Sequence, residues 1–360
     1  MTPTIPDDQK ERLGDLPNER NALVGQAADW FARGGRRIPA AYVEKDFWVT
    51  EALRSLSRPI RLQLDTKPAG ILHARLIFKG GTSLSKAHGL IDRFSEDIDL
   101  YVVTRFQAIG DEPPALPDFL DGDGVSNNRA DRLFHALAER TQSDVRRNVI
   151  KDTEKDPRAG TRRAFRMEYT SGDAPAALRP HVLIELTRMG NPEPNAPHQL
   201  RSLVNEFVIA AGVPDADFAE FEPVTMDVLM PHRTLIEKLC ALECCALTLG
   251  ERPDALSHMA RHFYDVYQLL GSDSVIESLA AEKGGAESIA RDHVDRSAAV
   301  RRATGPRPDG GFGDSSWIRD ADVRSTAQAA YEKQMVDLAF GQIPTFDEVC
   351  RRVGGRAGLL

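Results

Sequence analysis

The chain is short of several things that would narrow its class. It has four cysteines in 360 residues, too few for a disulfide-built scaffold. Cys240, Cys244 and Cys245 share one segment, and Cys350 stands alone. No second ligand pair at zinc spacing follows, so these residues read as small apolar side chains on a buried helix face. No stretch reaches the roughly 18 consecutive apolar residues of a membrane helix. The start, MTPTIPDDQKERLGDLPNER, lacks the basic-then-apolar order of a secretory signal and reads as loosely ordered, so a cytoplasmic protein is expected. Positive charge is not in excess either: the net charge is -8, which argues against a non-specific nucleic-acid coat. A local basic groove stays open. Between Arg132 and Arg166 lie Arg140, Arg146, Arg147, Lys151, Lys155, Arg158, Arg162 and Arg163. Such a run is either a solvated face or a contact for a nucleic-acid backbone. There is no G-x-x-x-x-G-K-[ST] phosphate loop, and no G-x-S-x-G elbow supports Ser-His-Asp hydrolysis. His258 and His262, four apart, are too few for a metal centre of their own.

What is present has a clear order. AYVEKDFWVTEALRSL, Ala41 to Leu56, is amphipathic, with Pro39 as its start signal. ARLIFKGG reads as a strand ending in a turn, TSLSKAHGL as a helix stopping at Gly89, and DIDLYVV as a strand. A helix is expected over about 129–146. TRRAFRMEYT and HVLIELTR follow as two strands of one sheet, joined by SGDAPAALRP. MPHRTLIEKLCALECCALTL reads as a long helix, and PDALSHMARHFYDVYQLLG as a second, opened by Pro253 and closed by Gly271. GDEPPALPDFLDGDGVSNN and GPRPDGGFGDSS read as loops. The expected fold is α+β: an N-terminal helical segment over 1–75, a mixed-sheet core over 76–228 and a helical C-terminal domain over 229–360.

The chemistry concentrates in FKGGTSLSKAHGLIDRFSEDIDLYVV. A strand sends residues two apart to the same face, so Asp97 and Asp99 point together. Two such carboxylates repel unless a cation lies between them, and Mg²⁺ takes oxygen ligands while keeping waters for substrate phosphates. Gly80 and Gly81 let the backbone turn tightly and approach a ligand. Thr82 or Ser83 can cap the next helix, whose N-terminus favours anions. Strand, glycine turn, helix and Asp-x-Asp together make a phosphate-and-metal site.

GGTSLSKAHGLIDRFSEDIDL resembles the signature of the AbiEii/AbiGii toxin family, which includes the MenT toxins and belongs to the DNA polymerase β-like nucleotidyltransferase superfamily. The family's Arg-Phe-Ser-x-Asp-x-Asp is matched by Arg93, Phe94, Ser95, Asp97 and Asp99. VEKDFWVT, RTLIEKLCAL and RHFYDVYQL resemble its other motifs, in order, so the likeness spans Val43 to Leu269. The tail from about Gly271 carries no further motif on which the resemblance rests.

The resemblance implies a nucleotidyltransferase-fold core and transfer of a nucleoside monophosphate from an NTP to a hydroxyl, with Mg²⁺ or Mn²⁺ at Asp97 and Asp99. Glu185 is the candidate third carboxylate, holding the cation, taking the hydroxyl's proton or facing solvent. Lys79, Gly80, Gly81, Thr82 and Ser83 would hold the nucleotide. Lys238 would neutralise phosphate charge, and Asp265 would orient it or pair with Arg261. Arg93 is a phosphate ligand or a bridge to Glu96. The serine that matches Ser95 is functional in MenT members, where an antitoxin can phosphorylate it. The implied acceptor is the 3′ end of tRNA, which would halt translation, with a cognate antitoxin encoded nearby and phage defence as an outcome. Two alternatives are transfer to a protein or small molecule, and a catalytically silent nucleotide-binding scaffold.

Overall fold

A computed structural model describes residues 11–65, 67, 69–95, 97–110, 125–153, 162–169, 178–188, 190–212, 218–299 and 304–360. The mixed α/β architecture is the expected one. Its sheet has eight strands among these residues: β1 (Ile60–Leu64), β2 (Gly70–Lys79), β3 (Asp97–Ala108), β4 (Val149–Lys151), β5 (Arg162–Glu168), β6 (His181–Thr187), β7 (Asn195–Leu200) and β8 (Val224–Leu229). Their order is β4-β5-β6-β3-β2-β8-β7, with β1 also paired to β2. β2 and β3 form a long antiparallel ladder, from Gly70 opposite Ala108 to Lys79 opposite Asp99. β1 pairs with the first half of β2 and β8 with Ile77 and Phe78, so the two short strands share one edge of β2. β6 runs parallel to β3. The sheet is therefore mixed, and its central strands carry the glycine turn and the aspartates.

The alternation that predicted β3 is visible in its packing. Ile98 and Leu100 are fully buried, while Asp97 and Asp99 on the other face are half-buried. The helix Ala40–Leu56 begins after Pro39 and packs most of its length inward. Its Glu-Lys-Asp triplet is structural. Glu44 pairs with Arg20 at 3.6 Å, Lys45 Nζ donates to the Arg179 carbonyl at 3.0 Å, and Asp46 accepts the Leu203 amide at 2.7 Å. Each charge ties the helix to a different part of the chain. Glu51, further along, is buried between Arg12 and Arg54. Burial foremost, with Glu220 nearby, pushes its carboxyl up to about 7 against the pull of the two arginines.

The chain divides into two compact units, one drawn from Met1–Thr82, Ser95–Arg188 and Pro197–Val228, the other from Ser83–Phe94, Met189–Ala196 and Leu229–Leu360. The first holds the N-terminal helices with the sheet; the second is largely helical. The second unit's core stacks Phe263 edge-to-face on Trp317 and Phe346, with centroids 5.0 and 5.1 Å apart. The four cysteines are buried and form no disulfide, and burial pushes the Cys240 thiol up to about 12. One helix differs from expectation. The segment from Pro253 to Gly271 forms two helices, Ala255–Met259 and Arg261–Leu270. The Arg261 amide donates to Gln334 Oε1 at 2.8 Å, and the Phe263 amide reaches only back to the Ala260 carbonyl, so the helical ladder is interrupted at Ala260. No helix among the described residues is long and apolar enough to cross a membrane.

Candidate active site

The strand register gathers three of the expected carboxylates. Asp97 and Asp99 share a face of β3, and the parallel pairing with β6 sets Glu185 directly opposite Asp99. The Asp99 side chain takes no hydrogen bond or ion pair among the described residues. Glu185 is engaged: Arg162, on the far side in β5, donates to its Oε1 at 2.6 Å. No group of three or more His, Cys, Asp and Glu side chains stands ready to hold a metal among the described residues. The donor set on this face is the aspartate pair, with Glu185 drawn toward Arg162.

The glycine turn closes against the same pair. Gly80 has φ +78°, and a Cβ there would sit 2.2 Å from Asp99 Oδ2. Only glycine fits that backbone and that gap at once. Gly80 and Gly81 open the helix Gly80–Lys86, whose first amides have no intrahelical acceptor. Thr82 is buried, and its hydroxyl oxygen lies 2.6 Å from the Asp97 carbonyl and 3.0 Å from Ser95 Oγ. Ser83 is 0% exposed, so its hydroxyl does not face an open ligand site. Lys79, opposite Asp99 in the ladder, holds its ammonium 4.5 Å above the Tyr101 ring.

The other expected residues form a buried charge cluster inside the second unit. Asp265 is 0% exposed. It accepts from Arg93 Nε at 2.6 Å and Arg93 Nη2 at 2.7 Å, and pairs with Lys238 Nζ at 2.8 Å. Lys238 is 6% exposed, and its ammonium also lies 3.2 Å from His262 Nδ1. An ammonium only donates, so Nδ1 is the acceptor and the imidazole proton resides on Nε2. Burial would raise the Asp265 carboxyl, but Arg93 and Lys238 outweigh it and hold it well below the usual range. Burial, reinforced by the Lys238 charge, brings His262 down to about 3. Burial also lowers Lys238, against the pull of Asp265. Two cations therefore meet one anion and a neutral imidazole. Of the two partners considered for Asp265, Lys238 is the one in contact, and Arg93 joins it; Glu96 lies outside the described residues.

The profile of one family, described as nucleotidyl transferase AbiEii toxin of type IV toxin–antitoxin systems, matches residues 64–352. The chain belongs to this family. It is thus a nucleotidyltransferase toxin by family, and the family implies an NTP substrate and an antitoxin partner. A comparison with curated protein sequences gave no match.

Other features of this AbiEii member were not visible in its motifs. His262 sits within RHFYDVYQL, but its contact with Lys238 joins two different helices. The tail also reaches the motif. The Phe94 amide donates to the Leu338 carbonyl at 2.9 Å, the Phe340 amide donates to the Asp92 carbonyl at 2.8 Å, and Arg93 bridges to Ala339. The basic run resolves into separate pairs. Arg140 donates to the carbonyls of Arg58 and Pro59, Arg146 pairs with Asp15, and Arg147 stacks on Trp48 at 4.4 Å. Arg163 pairs with Asp131 at 2.8 Å and Arg166 with Asp152 at 3.6 Å. Lys155 and Arg158 lie outside the described residues, as do most of the expected loop over 110–128 and most of the linker between β5 and β6. In the described part, this run is mainly a set of structural braces.

Proposed function

We propose that this toxin transfers a nucleoside monophosphate from an NTP to an acceptor hydroxyl at the Asp97–Asp99 face, with the 3′ end of tRNA as the leading acceptor. The observation that carries this reading is the glycine turn pressed against the aspartate pair, with Gly80 leaving room for the Asp99 carboxylate. The oxygen-only donor set suits a hard divalent cation, Mg²⁺ or Mn²⁺, held by Asp97 and Asp99. When bound, such a cation would neutralise charge on the phosphates of the nucleotide. The chain's own residues do the rest. The amides of Gly80 and Gly81 receive phosphate oxygens at the start of their helix, and Lys79 adds positive charge beside them. The acceptor oxygen attacks the α-phosphorus in line, the bond to the β-phosphate bridging oxygen breaks, and pyrophosphate leaves with that electron pair. Glu185 would act as the base that takes the hydroxyl proton, once its oxygen is free of Arg162. Arg93, Lys238 and Asp265 enter as a buried cluster of the second unit. Their part in turnover is read from Lys238→Met, compared with wild type for both rate and folding.

The test is incubation with each α-labelled NTP, Mg²⁺ or Mn²⁺, and total RNA or lysate. Label in tRNA supports the reading. Label in protein or small molecules keeps the chemistry and changes the acceptor. Nucleotide binding without transfer under every condition makes the protein a silent scaffold and overturns the proposal.

A further inference from the structure

Thr82 lies in the glycine turn, yet its hydroxyl is directed to the carboxylate strand. It is 3% exposed, 2.6 Å from the Asp97 carbonyl and 3.0 Å from Ser95 Oγ. A threonine hydroxyl has one proton, and a carbonyl only accepts. Thr82 Oγ1 is the donor in both contacts, so its one proton is shared between the Asp97 carbonyl, the nearer acceptor, and Ser95 Oγ. The Thr82 hydroxyl is thus committed to the strand that carries the aspartates.

The same turn meets the second aspartate by a different device. At Gly80 the missing side chain leaves space for Asp99. The turn thus fixes Asp97 through a hydroxyl at position 82 and accommodates Asp99 through the absence of a Cβ at position 80. We propose that Thr82 is a positioning residue of the transfer site, which sets the Asp97 backbone and the Ser95 hydroxyl, and that it is not a phosphate ligand. This rests on the reading that Asp97 and Asp99 carry the transfer.

The test compares Thr82→Val, which keeps the shape and removes the hydroxyl, with Thr82→Ser, which keeps the hydroxyl. Four quantities are measured: kcat and KM with the NTP and acceptor found active above, binding of Mn²⁺ alone by electron paramagnetic resonance, and thermal melting. Misplacement of a reacting group by a fraction of an ångström lowers rate by about 10- to 100-fold, which is the loss expected in kcat for Thr82→Val. Mn²⁺ binding should weaken about tenfold for the same variant, while KM for the NTP stays within about threefold because no phosphate contact is lost. Thr82→Ser should restore both to near wild type. A Thr82→Val protein with wild-type kcat and Mn²⁺ binding overturns the proposal, as does a defect confined to KM or one that serine does not rescue. Asp97→Asn separates the two levels. If it abolishes transfer while Thr82→Val behaves as wild type, this proposal alone fails. If it transfers at the wild-type rate, the parent reading fails and takes this one with it.

Discussion

Gly80→Ala is the most telling single substitution. Gly80 has φ +78°, a conformation that costs an L-residue about 1–2 kcal/mol. The added Cβ would also lie 2.2 Å from Asp99 Oδ2, 3.0 Å from its Cγ and 3.1 Å from its Cβ, so the carboxylate has to swing away. Gly89 separates these effects, because it has φ +61° with nothing within 4 Å of the position a Cβ would take. Gly89→Ala therefore carries the backbone strain alone. Gly89→Ala should lose about 1–2 kcal/mol of stability in urea titrations, and Gly80→Ala at least as much. Only Gly80→Ala should also lose nucleotidyl transfer, by about 100-fold or more, since a carboxylate displaced by about an ångström no longer holds its ligand. Equal transfer rates in the two folded variants would refute the assignment of Asp99 to the site.

Three further outcomes follow from the buried charges. Asp265→Asn leaves Arg93 and Lys238 facing each other without an acid, which should cost about 3–5 kcal/mol in urea unfolding, and adding Lys238→Met should recover part of that loss; an unchanged midpoint would mean the cluster holds nothing. His262 is neutral when folded, lowered from 6.5 to about 3, so its contribution is complete above pH 6.5 and declines as pH falls toward 3, reaching a loss of about 2 kcal/mol at pH 5. His262→Asn should flatten that acid limb, and an equally steep limb in the variant would contradict the assignment. Glu51 has the opposite sign: raised from 4.5 to about 7, it favours the fold fully below pH 4.5 and loses about 3 kcal/mol as pH rises through 7, a slope that Glu51→Gln should remove when stability is compared at pH 5 and pH 8.

The legible parts of the sequence were the locally determined ones. Alternation in DIDLYVV gave β3, the glycine pair gave the turn, and Pro39 marked the start of the helix Ala40–Leu56. β1, β4, β7 and β8 were not read, β4 being only three residues long. IRLQL alternates fully but over only five residues, NAPHQL contains a proline, and VTMDVL runs straight into the helix that begins at Pro231. The broken helix at Ala260 depends on Gln334, 73 residues away from Arg261, so no local pattern could signal it. The charge cluster has the same origin. Arg93 and Asp265 lie 172 residues apart, and only the folded chain shows that the arginine binds this acid. The basic run stayed open between two readings for a related reason: composition reports the number of arginines, while their acidic, carbonyl and aromatic partners lie elsewhere in the sequence.

The central claim is transfer of a nucleotide by the Asp97–Asp99 face. It is tested most directly by parallel reactions with α-labelled and γ-labelled NTP, using wild-type protein and Asp99→Asn. The account predicts that α-label enters the acceptor, that γ-label leaves as pyrophosphate, and that Asp99→Asn does neither while keeping its fold. Label from the γ-phosphate in the acceptor, or full transfer by Asp99→Asn, would contradict it.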